Sequence, residues 1–253
     1  MTDRQPLLVT KGLEKSFGGV IAARDISISL FPGETLAVIG SNGAGKTTFV
    51  NMVTGYLKPS GGTIHFRGRD ITGMSPRDTA RAGIRRSFQI SQIFPQLTAL
   101  ENMMISDISA QKTKGGWTAP ALTPQRMDTA IATLARFELD KFADSVVATL
   151  PQGVKKQLDI AMAAVGDPSI ILLDEPTSGV SVDEKIAMMD NVIQPLKGDD
   201  ATVLFIEHDM DIVSRFASRT VAFYEGTILA DGPTDEVLQN DKVREYVIGG
   251  VHA

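Results

Sequence analysis

The stretch of sequence that decides the fold is Gly40-Ser41-Asn42-Gly43-Ala44-Gly45-Lys46-Thr47-Thr48, a full match to the P-loop pattern G-x-x-x-x-G-K-[ST]. The apolar residues 36–39 before it predict a buried strand, and the residues from Thr47 onward predict a helix. Glycines let the backbone N–H groups turn inward toward phosphate, and the helix N-terminus adds partial positive charge. This stretch therefore predicts a binding site for a nucleoside triphosphate.

Lys46 and Thr47 carry the chemistry of this stretch. The lysine would reach the β- and γ-phosphates, and the threonine hydroxyl would ligate Mg²⁺. A chance glycine-rich turn followed by lysine is the alternative, and at a glycine frequency of about 7% it would occur in roughly one chain in a hundred. The guanine-reading pattern Asn-Lys-x-Asp does not occur, which argues against a GTPase.

Composition bounds the classes of protein that remain. At 253 residues with 43% hydrophobic content, the chain can bury a large core as one domain or as a domain with a subdomain. The formal net charge of −5 gives no general attraction to nucleic acid or anionic lipid, and the absence of cysteine excludes disulfides and thiolate metal sites. No run of apolar residues is long enough to span a membrane. We expect a soluble chain whose membrane role passes through a partner.

Alternating apolar and polar residues predict a small antiparallel sheet beside the P-loop core. One predicted strand runs from Asp25 to Phe31, and two more cover residues 7–9 and 63–66. Phe17 lies upstream of the P-loop. It would either stack on an adenine or pack in the core, and core packing is the commoner role of a lone aromatic residue.

The middle of the chain predicts helices. Thr123-Pro124 gives a helix N-cap followed by proline at the first helical position, and the apolar residues Met127, Ile131 and Leu134 share one face. Helices in this part of the chain would form a separate subdomain from about residue 90 to residue 165.

Another predicted helix follows the stretch Leu150-Pro151-Gln152-Gly153-Val154. Lys155 and Lys156 fall in its first turn, where positive charge is unfavourable unless an anion lies nearby. A pair of solvated lysines is the simpler interpretation when charge alone is considered.

Two further apolar strands end in polar residues. Residues 170–173 lead to Asp174 and Glu175, and residues 202–206 lead to His208. Parallel strands present their carboxyl ends at one edge of a sheet, so Asp174 would hold Mg²⁺ and Glu175 would orient or deprotonate the attacking water. His208 would sense the γ-phosphate or be an ordinary surface histidine. Between the two strands, Asp183 would cap a helix that buries Ile186 and the apolar residues that follow it at helical spacing.

Taken together, these motifs resemble the ATP-binding subunit of ABC transporters over essentially the whole chain. Within that family the chain is most similar to the cytoplasmic ATPases of branched-chain amino acid importers. The finer resemblance rests on Arg86-Ser87-Phe88-Gln89 with Phe94, Leu97-Thr98 and Glu101-Asn102, on Ile206-Glu207-His208-Asp209-Met210, and on the ending Tyr246-Val247-Ile248-Gly249.

The resemblance implies an α/β fold and roles for single residues. It implies a P-loop NTPase core with a mostly parallel sheet, an N-terminal antiparallel β subdomain and an inserted α-helical subdomain. The core would cover about residues 1–89 and 166–253, and the helical subdomain about residues 90–165. Phe17 would stack on adenine, Gln89 would contact Mg²⁺ and the attacking water, and His208 would be the switch histidine.

Two stretches depart from the family pattern. The signature Leu-Ser-Gly-Gly-Gln, which faces the ATP of the opposite subunit, is here Leu150-Pro151-Gln152-Gly153-Val154 and lacks the serine hydroxyl. After the turn that follows the Walker B acid, here Asp174, and Glu175, the family usually has Leu-Asp, whereas this chain has Gly179-Val180-Ser181, with Asp183 two residues late. Both departures concern the ATP held by the neighbouring subunit.

The implied function is ATP hydrolysis coupled to uptake of a branched-chain or related amino acid. ATP and Mg²⁺ would be the cofactors. The implied partners are a second ABC ATPase subunit, integral membrane permease subunits and, indirectly, a periplasmic solute-binding protein. No nucleic acid is expected, and the chain would be peripheral at the cytoplasmic face of the inner membrane. The ATPase of a lipid-export ABC system and a soluble non-transport ABC ATPase are the alternatives.

Overall fold

The computed structural model describes residues 5–87, 93–110, 123–198 and 201–249. Gln89 is the one predicted site residue that lies outside these ranges.

The described chain opens with four strands, and its strands and helices alternate most regularly over residues 170–224. The strands are β1 (Leu8–Phe17), β2 (Val20–Ile26), β3 (Ser29–Leu30), β4 (Thr35–Gly40), β5 (Gly61–Phe66), β6 (Arg69–Asp70), β7 (Ile84–Ser87), β8 (Ile170–Asp174), β9 (Thr202–Ile206), β10 (Arg219–Tyr224) and β11 (Thr227–Pro233). The α-helices are α1 (Lys46–Val53), α2 (Pro76–Ala82), α3 (Ala99–Ala110), α4 (Pro124–Arg136), α5 (Gln152–Ala164), α6 (Val182–Gly198), α7 (Met210–Phe216), α8 (Thr234–Gln239) and α9 (Asp241–Val243). Within the described ranges, every helix is too short or too polar to span a bilayer.

The larger sheet has the strand order β11-β10-β4-β9-β8-β7, and all its neighbours are parallel except the pair of β10 and β11. Alternate residues of β4 belong to two different cores. Leu36 and Val38 pack in the core that includes Phe49 of α1, whereas Ala37 and Ile39 pack in the core that includes α5 and α6. A strand buried on both faces is typical of a parallel sheet covered by helices. The fold class predicted from the sequence is confirmed.

The smaller sheet is antiparallel, with the order β2-β1-β5-β6 and β3 beside β1. The continuous strand predicted from Asp25 to Phe31 is wrong, because β2 ends at Ile26 and β3 contains only Ser29 and Leu30. Asp25 has a left-handed backbone with φ of 51°. Side-chain oxygens replace the strand ladder at this break, since the Ile28 N–H donates to Thr10 Oγ1 at 2.9 Å.

The N-cap predicted for α4 is confirmed, since Thr123 Oγ1 accepts a hydrogen bond from the Arg126 N–H at 3.3 Å. Of the three apolar residues predicted to share one face of this helix, only Leu134 is buried. Met127 and Ile131 are each 42% exposed. The helix instead turns Arg126 inward, where its Nε lies 3.4 Å from Asp107 Oδ2 of α3.

Helix α6 starts at Val182, one residue before the predicted cap, and Asp183 falls in its first turn. Its buried stripe includes Met188 in place of Ile186, which is 37% exposed. The remaining stripe is as expected, with Met189, Val192, Ile193 and Leu196 all buried. The boundaries given above for the core and the helical subdomain stay predictions.

Candidate nucleotide-binding site

The P-loop connects the carboxyl end of β4 to the start of α1. Within it, the Ala44 N–H donates to the Ser41 carbonyl oxygen at 3.1 Å. Gly45 has φ of 101°, and a Cβ atom at this position would lie 2.7 Å from the Ala22 carbonyl oxygen of β2. Only glycine fits a left-handed backbone at such a close approach. The loop is therefore held against the hairpin formed by β1 and β2.

Lys46 turns back into the loop. Its ammonium group donates to the carbonyl oxygens of Gly40 at 2.6 Å and Ser41 at 3.0 Å, and the residue is only 6% exposed. Burial lowers the pKa of Lys46, and the nearby carboxylates of Glu175 and Asp174 oppose that shift. The loop thus carries a buried ammonium group. It could donate its hydrogen bonds to phosphate oxygens in place of the two carbonyl oxygens.

Strands β8 and β9 bring Glu175 and His208 to the same cavity. The Glu175 N–H donates to the Ile206 carbonyl oxygen at 3.0 Å, and His208 Nε2 lies 2.9 Å from Glu175 Oε1. Glu175 adopts a left-handed backbone with φ of 48°, which is uncommon outside glycine. The cavity is lined by residues 42–48 together with Glu175 and His208. Residues predicted from three separate parts of the sequence therefore meet in one place.

Asp174 is buried, at 7% exposed, and forms an ion pair with Arg86 of β7. Arg86 Nη1 also donates to Asn51 Oδ1 of α1 at 2.6 Å. Sequence reasoning identified Asp174 but missed this arginine as its partner. The three arginines at positions 81, 85 and 86 were a signal, although nothing in their spacing shows which of them faces the acid.

Glu207 ties the turn after Glu175 to the end of β9. Its Oε1 accepts hydrogen bonds from the Thr177 N–H at 2.9 Å and the Thr177 hydroxyl at 2.7 Å, and its Oε2 accepts one from the His208 N–H at 3.1 Å.

Asp209 is the second acid beyond β9. The Lys185 ammonium donates to Asp209 Oδ2 at 2.8 Å, and this bond lowers the pKa of Asp209. Sequence reasoning gave neither acid a role.

The five residues 150–154 lie at the start of α5. Leu150 is buried at 6% exposed, and Pro151 is the N-cap residue, with no side-chain hydrogen bond to the helix. A Cβ atom on Gly153 would lie 3.7 Å from Val180, so this stretch packs on the turn that follows Glu175. Among the described residues that line the P-loop cavity, none comes from 150–154.

Lys155 and Lys156 behave differently from a solvated pair. Lys155 donates to the Ala148 carbonyl oxygen at 2.9 Å. Lys156 is only 3% exposed, so the solvated interpretation is wrong for this residue. Burial lowers the pKa of Lys156, and four carboxylates oppose the shift, those of Asp159, Asp174, Glu175 and Glu207. The anion that a positive helix start requires is therefore supplied by this chain's own acids.

Phe17 ends β1 and is 51% exposed, which rules out the core-packing alternative for this residue. Its ring lies 5.2 Å from the Lys15 ammonium group. The hairpin that carries Phe17 also contributes Ala22, whose carbonyl oxygen faces Gly45. An exposed aromatic ring is thus carried on the hairpin that packs against the P-loop.

Comparison with known proteins decides the family. The sequence profile of the ABC transporter family matches residues 23–178. The chain belongs to this family. Its sequence is 34% identical to the high-affinity branched-chain amino acid transport ATP-binding protein LivG of Escherichia coli over 251 residues, covering 96% of this chain and 98% of LivG. The corresponding protein BraF of Pseudomonas aeruginosa is 32% identical over 251 residues, covering 97% of this chain and 98% of BraF.

Solved structures agree with this assignment. The ADP conformation of an ATP-binding cassette of an ABC transporter superimposes with a TM-score of 0.86 at 30% identity, covering 96% of this chain and 98% of that cassette. The resemblance to branched-chain amino acid transport ATPases is confirmed, as is the expectation of an ABC-type ATPase.

Metal donors in this ABC cassette are few. Among the described residues, no group of three or more histidine, aspartate or glutamate side chains is arranged to hold a metal ion. Thr47 lines the cavity, and the Asp174 carboxylate ends the strand beside it. Mg²⁺ is usually bound through one or two carboxylates together with substrate phosphates and water. A hydroxyl and one carboxylate therefore suit a Mg²⁺ ion that shares its ligands with a bound nucleotide.

Proposed function

We propose that this chain hydrolyses ATP to drive uptake of a branched-chain or related amino acid. The observation that carries the proposal is the cavity in which P-loop residues 42–48 face Glu175 and His208. A phosphate-binding loop opposite a carboxylate and an imidazole is an arrangement for cleaving the terminal phosphate. The substrate class is argued from LivG and BraF, which are branched-chain amino acid transport ATP-binding proteins.

In this proposal, binding begins with the adenine ring on Phe17 and the phosphates in residues 40–48. Lys46 exchanges the carbonyl oxygens of Gly40 and Ser41 for oxygens of the β- and γ-phosphates. The exchange is favourable because the buried ammonium group gains anionic partners in place of neutral carbonyl oxygens, and opposite charges attract more strongly where water is largely excluded. The N-terminus of α1 adds its partial positive charge to the same site.

Hydrolysis then depends on residues at the strand ends. Glu175 orients the attacking water and accepts its proton, while His208 holds the Glu175 carboxylate and contacts the γ-phosphate. Gln89 contacts the same water. Mg²⁺ held by Thr47, Asp174 and Gln89 would neutralise charge that develops on the phosphates.

The partners proposed are those of an importer. A second ABC ATPase subunit would close head to tail on this one, so that residues 150–154 of each chain face the ATP of the other. The ATPase subunits would bind membrane permease subunits at the cytoplasmic face of the membrane. A periplasmic solute-binding protein would bind on the other side of the membrane. The net charge of −5 gives no reason to expect nucleic acid.

Phe94 is the described residue best suited to contact a permease. Its side chain is 48% exposed, although its backbone is fixed by two hydrogen bonds with the buried Asn102 amide, at 2.7 and 3.1 Å. Phe94→Cys should cross-link to a permease subunit, conveniently in a chain with no other cysteine. Tyr246→Cys, at a residue 40% exposed in the C-terminal segment, is the matched control. Equal cross-linking from both positions would contradict this contact.

Transport itself tests the proposed function. The chain would be assembled with its second cassette and permease subunits in proteoliposomes, with binding protein and labelled leucine on the periplasmic side and ATP on the other. ATP-dependent uptake of leucine is expected, and Lys46→Ala should abolish it. ATP-driven lipid export, or ATP turnover that no amino acid stimulates, would contradict the proposal.

A further inference from the structure

Arg86 occupies a fixed position between three elements of the core. It lies on β7, and its guanidinium group forms an ion pair with Asp174 at the end of β8. Nη1 of the same group donates to Asn51 Oδ1 on α1 at 2.6 Å. The ring of Tyr56, just beyond that helix, lies 5.9 Å from the guanidinium carbon.

The Arg86 side chain is well placed to fix the direction of a carboxylate. Both members of its pair with Asp174 are only 8% exposed, so water screens the interaction little. A guanidinium group is planar and can hold two acceptors at fixed angles, whereas an ammonium group is a flexible point charge. Here the two acceptors are Asp174 and Asn51. Because Asn51 holds one side of the fork, the position of the arginine does not depend on the acid alone.

We propose that Arg86 is a positioning residue that orients the Asp174 carboxylate toward the Mg²⁺ ion of a bound nucleotide. The proposal rests on the nucleotide site proposed above. Arg86 engages Oδ2 of the carboxylate, and the other oxygen is thereby held in a defined direction. Side chains that bond to a metal ligand in this way typically contribute 10- to 100-fold to metal affinity.

The same contact connects Asp174 to β7 and to α1. Arg86 precedes Gln89 by three residues, and Asn51 is on the helix that begins with Lys46. A displacement of β7 would therefore move Arg86, the partner of Asp174. It would also change the hydrogen bond between Arg86 and Asn51 of α1. Arg86 is thus a direct link between β7 and the acid at the end of β8.

Binding of Mn²⁺, a spectroscopic substitute for Mg²⁺, tests the proposal without turnover. The full-length chain would be saturated with ADP and titrated with Mn²⁺, with bound and free metal followed by electron paramagnetic resonance. ADP affinity in excess EDTA would be measured in parallel. Arg86→Met should weaken Mn²⁺ binding about 10- to 100-fold and leave metal-free ADP affinity unchanged. Arg85→Met removes a guanidinium group from the same strand and should bind Mn²⁺ like the wild type.

Two milder variants keep the test decisive if Arg86→Met does not fold. Arg86→Lys retains the charge but cannot hold both acceptors, and Asn51→Ala releases one side of the fork. Each should weaken Mn²⁺ binding several-fold with metal-free ADP affinity retained. Wild-type Mn²⁺ affinity in both variants would overturn the proposal, as would an equal loss of metal-free ADP binding. If the wild type bound no ADP at all, the proposed nucleotide site would be wrong instead.

Discussion

His208 Nε2 lies 2.9 Å from Glu175 Oε1, although 33 residues separate the two in the sequence. The contact exists because β8 and β9 are parallel neighbours, with Asp174 opposite Ile206, so that the residues after each strand meet at one edge of the sheet. The pair faces the P-loop across the cavity. A histidine that holds both a carboxylate and a phosphate would keep the carboxylate correctly placed for an attacking water.

Glu175→Gln should abolish hydrolysis and preserve nucleotide binding. The amide keeps the size of the side chain and a partner for His208 but cannot accept a proton, so turnover should fall about 10²- to 10⁴-fold. ATPase rate and ATP affinity would be measured in the assembled complex. Glu138→Gln is a suitable control, because Glu138 shares the left-handed backbone, with φ of 55°, and is exposed in another part of the chain. A Glu175→Gln rate near that of the wild type would disprove the role assigned to Glu175.

Lys46→Met should change how folding stability depends on pH. Burial lowers the pKa of Lys46 below its ordinary value of 10.5, so between these two values the unfolded chain binds more protons than the folded one. The wild-type free energy of unfolding should therefore gain from Lys46 as pH rises toward 10.5, and the variant should lack that gain. Urea unfolding across this range measures the difference. If the unfolding free energies of wild type and variant depended on pH identically, the lysine would not be desolvated. Separately, the variant should fail to bind ATP at every pH.

Pro151→Ser should accelerate hydrolysis of the ATP that, in the proposed head-to-tail pair, residues 150–154 of this chain would face in the neighbouring subunit. The serine hydroxyl would add one charge-assisted hydrogen bond to phosphate, worth roughly 1.5–3 kcal/mol, or about 10- to 150-fold in rate if it is fully used in the transition state. Serine at this N-cap would also stabilise α5 by about 1 kcal/mol. Pro151→Ala is the control, since it removes the ring without adding a hydroxyl. Equal ATPase rates in the two variants would show that the helix end and Gly153 suffice.

Thr177→Val should destabilise the fold. The substitution keeps the shape of the side chain and the backbone bond to Glu207, but it removes the hydroxyl that donates to the buried carboxylate at 2.7 Å. Leaving that carboxylate short of a donor should cost about 1–3 kcal/mol of unfolding free energy in a urea titration. Thr177→Ser, which retains the hydroxyl, should lie close to the wild type. A valine variant as stable as the wild type, or a serine variant as destabilised as the valine variant, would contradict the role assigned to this hydrogen bond.

Sequence patterns predicted the parts of this fold that depend on neighbouring residues. The P-loop from Gly40 to Thr48, the strand that ends at Asp174 and the N-cap at Thr123 are local features, and each occurs where it was expected. Their mutual arrangement also followed, because parallel strands deliver their ends to one edge. The cavity shared by Lys46, Glu175 and His208 is a consequence of that rule.

Contacts between distant side chains could not be predicted in the same way. Arg126 of α4 turns inward to Asp107, whereas Met127 beside it in the sequence is exposed. Lys156 of α5 is buried, with the acids that follow β8 and β9 near it, although its own neighbours in sequence suggest exposure. Arg86 and Asp174 are 88 residues apart. In each case the interaction joins charged side chains from different elements of the fold, and single-sequence periodicity carries no information about such contacts.

Because Glu175 has a left-handed backbone, the residue type that would be best for folding stability at this position differs from the one that the proposed ATP hydrolysis needs. A side chain in this conformation costs about 1–2 kcal/mol that glycine would not incur. Selection for thermal resistance alone should therefore enrich glycine or asparagine at residue 175, whereas selection for ATP consumption should retain glutamate. Libraries of variants sorted by these two criteria would differ at residue 175. A consensus sequence designed only for stability would give a cassette that binds ATP without hydrolysing it.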